Sequence, residues 1–283
     1  PSREAVRVVL QQLCGALFPM RLGPPDLRQE SEDHYIGHTL NMALHALQQQ
    51  VRLELRHARR QALAQATPQA GTGPATMDTH AAQVVHDFAL SLPGLRRLLD
   101  TDVLAAYRGD PAARSVDEVL ICYPGVAAVI HHRIAHRLYT LGVPLLARIV
   151  AEEAHSDTGI DIHPGAQIGA GFFIDHGTGV VIGETAVIGE RVRLYQNVTL
   201  GAKSFPTGAD GSLSKGLPRH PVVEDDVVIY AGATVLGRVT LGRGSTIGGN
   251  VWLTHSVPPG SHIRQADSLS RPTPAPADGT GPV

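Results

Sequence analysis

A six-residue period of branched aliphatic residues governs the second half of the chain. From residue 162 onward an Ile, Val or Leu stands at every sixth position, with one two-residue slip and one longer gap. The members of the series are Ile162, Ile168, Ile174, Ile182, Ile188, Leu194, Leu200, Val223, Ile229, Val235, Leu241, Ile247 and Leu253. Because an antiparallel sandwich would alternate with period two and irregular strand spacing, the pattern argues against that fold.

The six-residue period predicts a parallel β-helix built from hexapeptide repeats. Three six-residue sides close a triangular coil of about 18 residues, so the series makes about four coils. The aliphatic residue points inward and stacks on its equivalent one coil away, roughly 4.8 Å along the axis. Aromatic residues are only 4% of the chain, so aliphatic side chains must fill this core. The period leaves handedness open, and crossovers between parallel strands are nearly always right-handed.

The first half of the chain carries a helical period instead. Leu40, Leu44, Leu47, Val51 and Leu55 lie on one face of a helix that we predict over residues 33–66. Further helices are predicted over residues 80–92, 94–107 and 126–141, separated by prolines.

These patterns divide the chain into three parts. We predict a helical domain over residues 1–160 with a linker at 67–78, a β-helix over 161–264, and a flexible tail over 265–283. The β-helix contains a Gly- and Pro-rich excursion at 201–222, and loops of this length on a rigid scaffold often serve function.

Composition excludes several classes of protein. The formal charge of −2 gives no reason to expect nucleic acid or an anionic membrane as partner. Cys14 and Cys122 are too few for a disulfide framework or a cysteine-based zinc site. Because no segment looks like a signal peptide or a membrane span, we expect a cytoplasmic protein.

Asp161 and His176 are the first candidates for chemistry. They are 15 residues apart, close to one estimated coil of about 18, so we expect them near one corner on stacked coils. A carboxylate that holds an imidazole raises its basicity, which a general base requires. A solvated Asp and His at a turn is the alternative, and the spacing alone does not choose between them.

Several motifs resemble the serine O-acetyltransferase family. They are the run DIHPGAQIGAGFFIDHGTGVVIGETAVIG over residues 161–189, VTLGA over 198–202, and RHP over 219–221, preceded by GDPAA at 109–113 and YPGVAAVIHHRIAHRLY at 123–139. The resemblance covers most of residues 100–260. It implies an α+β protein, with an all-α N-terminal domain followed by a left-handed parallel β-helix, and an activity that acetylates serine from acetyl-CoA for cysteine synthesis.

The resemblance also implies residue roles. His176 would be the general base and Asp161 would orient it. Arg219 and His220 would bind the substrate, with Arg219 pairing with its carboxylate. Asp175 and Asp110 would hold its ammonium group. Acetyl-CoA would lie near backbone positions of the β-helix, and these are Gly201, Ala202, Ala231 and Gly249.

Further expectations concern assembly. Members of the family form trimers with sites between adjacent β-helices, or dimers of trimers, and direct attack on the thioester needs no metal. Many members bind O-acetylserine sulfhydrylase through a tail that ends in isoleucine. This chain ends in Val283, so that partner is not expected.

Three alternatives remain on the sequence. An acetyltransferase for another hydroxyl, such as a sugar, is disfavoured because Asp110, Asp175 and Arg219 suit a zwitterion. A zinc carbonic anhydrase-like β-helix protein would need histidines to converge across a trimer, and His163, His176 and His220 are the available ones. A trimeric scaffold without turnover would require a lost catalytic residue, and none is lost.

Overall fold

A computed structural model describes residues 1–64, 74–204, 213 and 216–266. Its first part is helical and its second part is a stack of short parallel strands. The helices are α1 (Arg3–Leu17), α2 (Pro19–Leu22), a 3₁₀ turn (Gln29–Ser31), α3 (Glu32–Ala64), α4 (Pro74–Gly109), α5 (Val116–Cys122), α6 (Pro124–Thr140) and α7 (Pro144–Thr158). None of the described helices is both long and apolar enough to cross a membrane.

The structure changes two expectations about the helices. Helix α4 begins at Pro74, inside the predicted linker at 67–78, because proline is well accommodated in the first turn of a helix. Residues 65–73 lie outside the described residues. Helix α4 also continues through Pro93, where we expected a break between two helices. Burial of Phe88 and Leu99 on either side favours continuity and outweighs the hydrogen bond that proline removes.

Fourteen strands are defined in the described part of the β-helix. They are β1 (Asp161–Ile162), β2 (Gln167–Ile168), β3 (Phe173–Ile174), β4 (Val181–Ile182), β5 (Val187–Ile188), β6 (Arg193–Leu194), β7 (Thr199–Gly201), β8 (Val222–Val223), β9 (Val228–Ile229), β10 (Thr234–Leu236), β11 (Thr240–Leu241), β12 (Thr246–Ile247), β13 (Trp252–Leu253) and β14 (His262–Ile263).

The strands form three parallel sheets, one for each side of the triangular coil. We name them sheet A (β1, β4, β7, β10, β13), sheet B (β2, β5, β8, β11) and sheet C (β3, β6, β9, β12, β14). From β1 to β13, consecutive strands therefore visit sheets A, B and C in turn, which confirms the predicted β-helix.

The registers confirm the predicted stacking of aliphatic residues. In sheet A, Ile162 pairs with Ile182, Ile182 with Leu200, Leu200 with Val235, and Val235 with Leu253. The first of these coils is 20 residues long because it contains the two-residue slip, whereas Val235 and Leu253 are 18 residues apart. All five side chains are almost completely buried.

A buried ion pair joins the helical domain to the first coil. Arg133 of α6 donates through Nε and Nη2 to both carboxylate oxygens of Asp102 in α4, each at 3.1 Å. The same guanidinium donates to the carbonyls of Ile168 and Gly169, and Asp102 accepts from the Phe172 N–H at 2.9 Å. Both charged side chains are at most 5% exposed, so this contact fixes α4 and α6 against the β-helix.

Candidate active site

The candidate residues lie at two different corners of the β-helix. The first corner is formed by the turns that lead from sheet C to sheet A, and it carries Asp175, His176, Ala231 and Gly249. The second corner is formed by the turns that lead from sheet A to sheet B. It carries His163, Glu184, Thr185, Gly201, Ala202, Arg219 and His220.

His176 occupies an exposed position at the first corner. Its backbone has φ 59°, and Asn197 and Asn250 adopt nearly the same φ at the equivalent turns of later coils. The side chain is 71% exposed, and Nδ1 lies 3.9 Å from Oδ1 of Asp175. Nδ1 is thus the ring nitrogen nearer to this carboxylate, at a separation longer than a hydrogen bond, and Nε2 is the farther one.

Asp110 approaches the first corner from the end of helix α4. Its carboxylate accepts hydrogen bonds from the Tyr123 hydroxyl and from the Ala112 N–H, the latter at 2.8 Å. These bonds hold the pKa of Asp110 below its ordinary value, with smaller electrostatic contributions from His176 and Arg193. Asp110 therefore stays ionised beside the exposed imidazole.

Two close contacts fix the helices at this corner. Arg193 of β6 donates to the Gly109 carbonyl, the last residue of α4 before Asp110. Gly125 at the start of α6 lies so close to the Ile174 carbonyl that a Cβ would stand 2.1 Å from it. The glycine thus lets the start of α6 contact β3, the strand that precedes Asp175.

An ion pair organises the second corner. Nη2 of Arg219 lies 2.6 Å from Oε2 of Glu184, and both side chains are about three-quarters buried. The other Glu184 oxygen accepts from the Tyr139 hydroxyl of α6 at 3.3 Å. Burial raises the pKa of Glu184, but the hydrogen bonds from Arg219 and Tyr139 and the charges of His163 and Arg219 outweigh it and leave that pKa below its ordinary value. The guanidinium is therefore fixed at the corner rather than free in solvent.

His220 is buried next to this ion pair. Only 6% of the residue is exposed, and a Cβ on Gly183 would collide with its ring. Burial lowers the pKa of His220 to about 4, with Arg219 as the next contribution. His220 is therefore neutral near pH 7.

Asp161 begins β1 of sheet A, at the edge of the coil where the turn that carries His176 enters the same sheet. Among the described residues, no hydrogen bond or ion pair joins the two, and Asp161 instead pairs in register with Val181. A ligand atom of Asp161 lies within 4.8 Å of those of Glu152 and His155 at the end of α7. The coil that follows Asp161 is 20 residues long, so its register partner is Val181, five residues after His176.

The residues expected near acetyl-CoA divide between the corners. Gly201 and Ala202 lie at the second corner, and Ala231 and Gly249 lie at the first. A Cβ on Gly249 would stand 3.3 Å from the Ala231 carbonyl, so these two positions stack directly. The histidines weighed for zinc do not converge within the described part of one chain, since the single three-ligand group found there is Glu152, His155 and Asp161.

Sequence reasoning missed four residues of the two corners, namely Tyr123, Tyr139, Glu184 and Thr185. The repeat itself carried a signal for two of them. Ile188 pairs with Val223, 35 residues later, across the long excursion. Glu184 and Arg219, like Thr185 and His220, are also 35 residues apart, and both pairs are in contact.

The fold and its two polar corners define a transferase of the hexapeptide-repeat class. The family model "Bacterial transferase hexapeptide (six repeats)" matches residues 220–255. The plasmid serine acetyltransferase of Synechococcus elongatus is 61% identical over 270 residues, which cover 95% of this chain and 83% of that protein. The chain belongs to the serine acetyltransferase family and is an enzyme.

Solved structures agree with this assignment. Serine acetyltransferase isoform 3 of Entamoeba histolytica, in complex with cysteine, superposes with a TM-score of 0.75 at 36% identity. That match covers 94% of this chain and 83% of the other. Soybean serine acetyltransferase complexed with serine matches with a TM-score of 0.57 at 29% identity, covering 93% and 96%.

Proposed function

We propose that this enzyme transfers the acetyl group of acetyl-CoA to the hydroxyl of L-serine with His176 as general base. Membership of the family makes the reaction serine O-acetylation in cysteine biosynthesis, with acetyl-CoA as co-substrate. The observation that carries the role of His176 is its geometry. An exposed imidazole has Nδ1 towards the Asp175 carboxylate and leaves Nε2 for the substrate.

The reaction follows from this arrangement as a direct displacement. The serine hydroxyl oxygen attacks the thioester carbonyl carbon while its proton passes to Nε2 of His176. The tetrahedral intermediate then collapses, the C–S bond breaks, and the CoA thiolate takes a proton from the imidazolium. Asp175 stabilises the positive charge that His176 carries between these steps. This route needs no metal.

The remaining charges suit a zwitterionic amino acid. Asp110 and Asp175 provide carboxylates for the ammonium group at the first corner. Arg219 provides a guanidinium for the carboxylate at the second corner, where Glu184 holds it in place. Acetyl-CoA is assigned to Gly201, Ala202, Ala231 and Gly249. Cysteine, an amino acid of similar size, would compete for the serine site.

A complete site on this arrangement needs a second chain. His176 and Arg219 lie at different corners of one β-helix, with sheet A between them. When the first corner of one chain meets the second corner of a neighbour, one site contains both. We therefore propose a trimer, in which every chain supplies both halves. Residues 267–283 lie outside the described residues, so the expectation that the tail does not bind a sulfhydrylase stays a prediction from sequence.

Asp161 keeps the role that the resemblance gives it as a proposal. In the described part of one chain its ligand atom lies within 4.8 Å of those of Glu152 and His155, and no hydrogen bond or ion pair links it to His176. Replacing Asp161 by Asn tests this role, because the amide keeps the shape and removes the charge.

Thiol release from acetyl-CoA, followed with and without L-serine, tests the proposed function. We expect release that depends on serine and is absent with L-alanine, which lacks the hydroxyl. His176→Asn should lower kcat by about two to four orders of magnitude, the usual range for a general base. Asn is the matched substitution, since Asn tolerates positive φ and Asn197 and Asn250 have nearly the same φ as His176. Turnover of the variant at the wild-type rate would remove His176 from the mechanism.

A further inference from the structure

We propose that Thr185 fixes His220 in the neutral tautomer that carries its proton on Nε2, so that His220 serves as a hydrogen-bond donor to an anionic oxygen of the substrates. Thr185 is then a positioning residue and His220 is the group that touches substrate. The inference rests on the proposed function for the identity of that oxygen. The tautomer itself rests on contacts within one chain.

The backbone of Thr185 determines which ring nitrogen is protonated. Its N–H points at Nδ1 of His220 with a nitrogen–nitrogen distance of 3.0 Å. A backbone N–H can only donate, so Nδ1 must accept and cannot carry a proton. In a neutral imidazole the proton is then on Nε2.

The Thr185 hydroxyl reinforces the same choice. Oγ1 accepts from the backbone N–H of Arg219 at 2.9 Å and of His220 at 3.1 Å. Both lone pairs are therefore used, and the hydroxyl proton is left to point at Nδ1, 2.9 Å away, where it shares the single lone pair of that nitrogen with the backbone N–H. Thr185 thus holds both the backbone and the ring of His220.

The surroundings disfavour a charged imidazole. Besides burial, the cationic groups Arg219 and Arg238 and the nearby His163 disfavour a proton on His220, whereas Glu184 favours one. Arg238 also holds this turn, since it donates to the carbonyls of Thr185 and His220 at 2.7 and 3.1 Å. His220 is therefore unsuited to act as a cation or as the base, and a fixed Nε2–H is the function left to it.

Two anionic oxygens of the substrates have the chemistry to accept a hydrogen bond from Nε2–H of His220, and steady-state kinetics distinguishes them. One is the serine carboxylate, which is present in the ground state, so losing the donor would raise KM for serine. The other is the oxygen that becomes negative in the tetrahedral intermediate, so losing the donor would lower kcat.

Nitrogen-15 NMR of the histidine rings tests the tautomer without turnover. The His220 signals are assigned by their loss in His220→Gln. We expect a protonated Nε2 and an unprotonated Nδ1 between pH 5.5 and 8, unchanged in Thr185→Ser. Thr185→Val should keep this tautomer, because its backbone N–H still donates to Nδ1, but should shift the Nδ1 signal, because the hydroxyl bond is lost. A protonated Nδ1, or an imidazolium above about pH 6, would overturn the inference. Because no substrate is present, this outcome is independent of the proposed function.

A pair of amide variants tests the donor role. The amide nitrogen of Gln can reach the place of Nε2 in His, whereas that of Asn matches Nδ1. We expect His220→Gln to retain at least about tenfold more kcat/KM for serine than His220→Asn, the value of one hydrogen bond to a charged group. Equal losses in both variants would refute the donor role. Absence of serine-dependent turnover in the wild-type enzyme would instead refute the proposed function.

Discussion

Glu184 and Arg219 are 35 residues apart in the chain, yet their side chains meet at 2.6 Å on successive coils of the second corner. The long excursion between β7 and β8 separates them in sequence, and the parallel register of sheet B brings them together. An exposed pair of this kind contributes little to stability. This pair is three-quarters buried and holds the guanidinium that we assign to the substrate carboxylate.

Substitutions at this pair should affect serine binding. We expect Arg219→Ala to raise KM for serine roughly 10- to 100-fold with a smaller change in kcat, because a hydrogen-bonded charge is lost. Arg219→Lys should also raise KM, since an ammonium cannot pair with two carboxylates through a planar fork. Initial-rate kinetics at saturating acetyl-CoA gives both constants.

The matched variant Glu184→Gln separates the effect of holding Arg219 in place from the effect of the contact between Arg219 and serine. It leaves Arg219 in place and removes the anion that fixes it, so we expect a smaller rise in KM for serine. The double variant should be no worse than Arg219→Ala alone, because the two side chains act as one unit. Full additivity, or an unchanged KM in Arg219→Ala, would contradict the assignment.

Tyr123→Phe should weaken serine binding at the first corner, where Asp110 lies. The change removes the hydroxyl that donates to Asp110 and leaves the bond from the Ala112 N–H. We expect the pKa of Asp110 to rise and KM for serine to increase about five- to tenfold, with kcat little changed. Tyr107→Phe, at an exposed position on α4, is the control and should match the wild type. A wild-type KM in Tyr123→Phe would remove the tyrosine from substrate binding.

Mixed assemblies should show whether two chains share a site. His176→Asn and His220→Asn chains are each expected to be nearly inactive alone. In trimers formed at random from equal amounts, about a quarter of the interfaces would combine an intact first corner with an intact second corner. We therefore expect the mixture to recover about a quarter of wild-type turnover after refolding or coexpression. A mixture as inactive as its components would place both residues in one chain's site.

The buried pair of Arg133 and Asp102 should dominate the stability of the joint between the two domains. Removing one partner leaves a charge without compensation, and such losses cost about 3–5 kcal/mol. Asp102→Ala should lower the free energy of urea-induced unfolding by this amount. Asp100→Ala removes a half-exposed pair with Arg96 on the same helix, and there we expect less than about 1 kcal/mol. Equal effects of the two substitutions would contradict this account.

The six-residue repeat made the β-helix predictable from sequence. Parts of the helical domain were less predictable, because they depend on packing between distant parts of the chain. Each aliphatic position, from Ile162 to Leu253, could be assigned because one residue in six must point inward whatever its neighbours are. The continuity of α4 through Pro93 could not be predicted in this way, since it depends on burial of residues such as Phe88 and Leu99 against elements far away in sequence. The rule that a helix ends at a proline uses only the local sequence and does not contain that information.

The same distinction applies to the residues of the two corners: contacts set by the repeat could be predicted from sequence, and contacts outside it could not. The spacing of Thr185 and His220 was available from the repeat, once the excursion is counted as part of one coil. The position of Asp161 relative to His176 depends on where the two extra residues of the first coil lie, which a period cannot specify. The contact between Tyr123 and Asp110 joins the end of one helix to the start of another, outside any repeat.

Buried His132 should make the stability of the fold depend on pH. The residue is 2% exposed, and burial, followed by the charge of Arg133, lowers the pKa of its imidazole well below the ordinary value. Below about pH 6.5 the unfolded chain binds a proton that the folded chain does not. The contribution to stability is therefore complete above that pH and is lost as pH falls towards the folded pKa, with a slope of up to about 1.4 kcal/mol per pH unit.

The slope can be assigned to His132 by comparing variants. Urea unfolding between pH 5 and 8 should show a weaker dependence on pH in His132→Leu than in the wild type, whatever the absolute stability of the variant. His262→Gln alters an exposed histidine on β14, and it should leave the slope unchanged. Because the comparison uses slopes, loss of packing in His132→Leu does not affect it. Parallel curves for His132→Leu and the wild type would show that protonation of His132 is not coupled to unfolding.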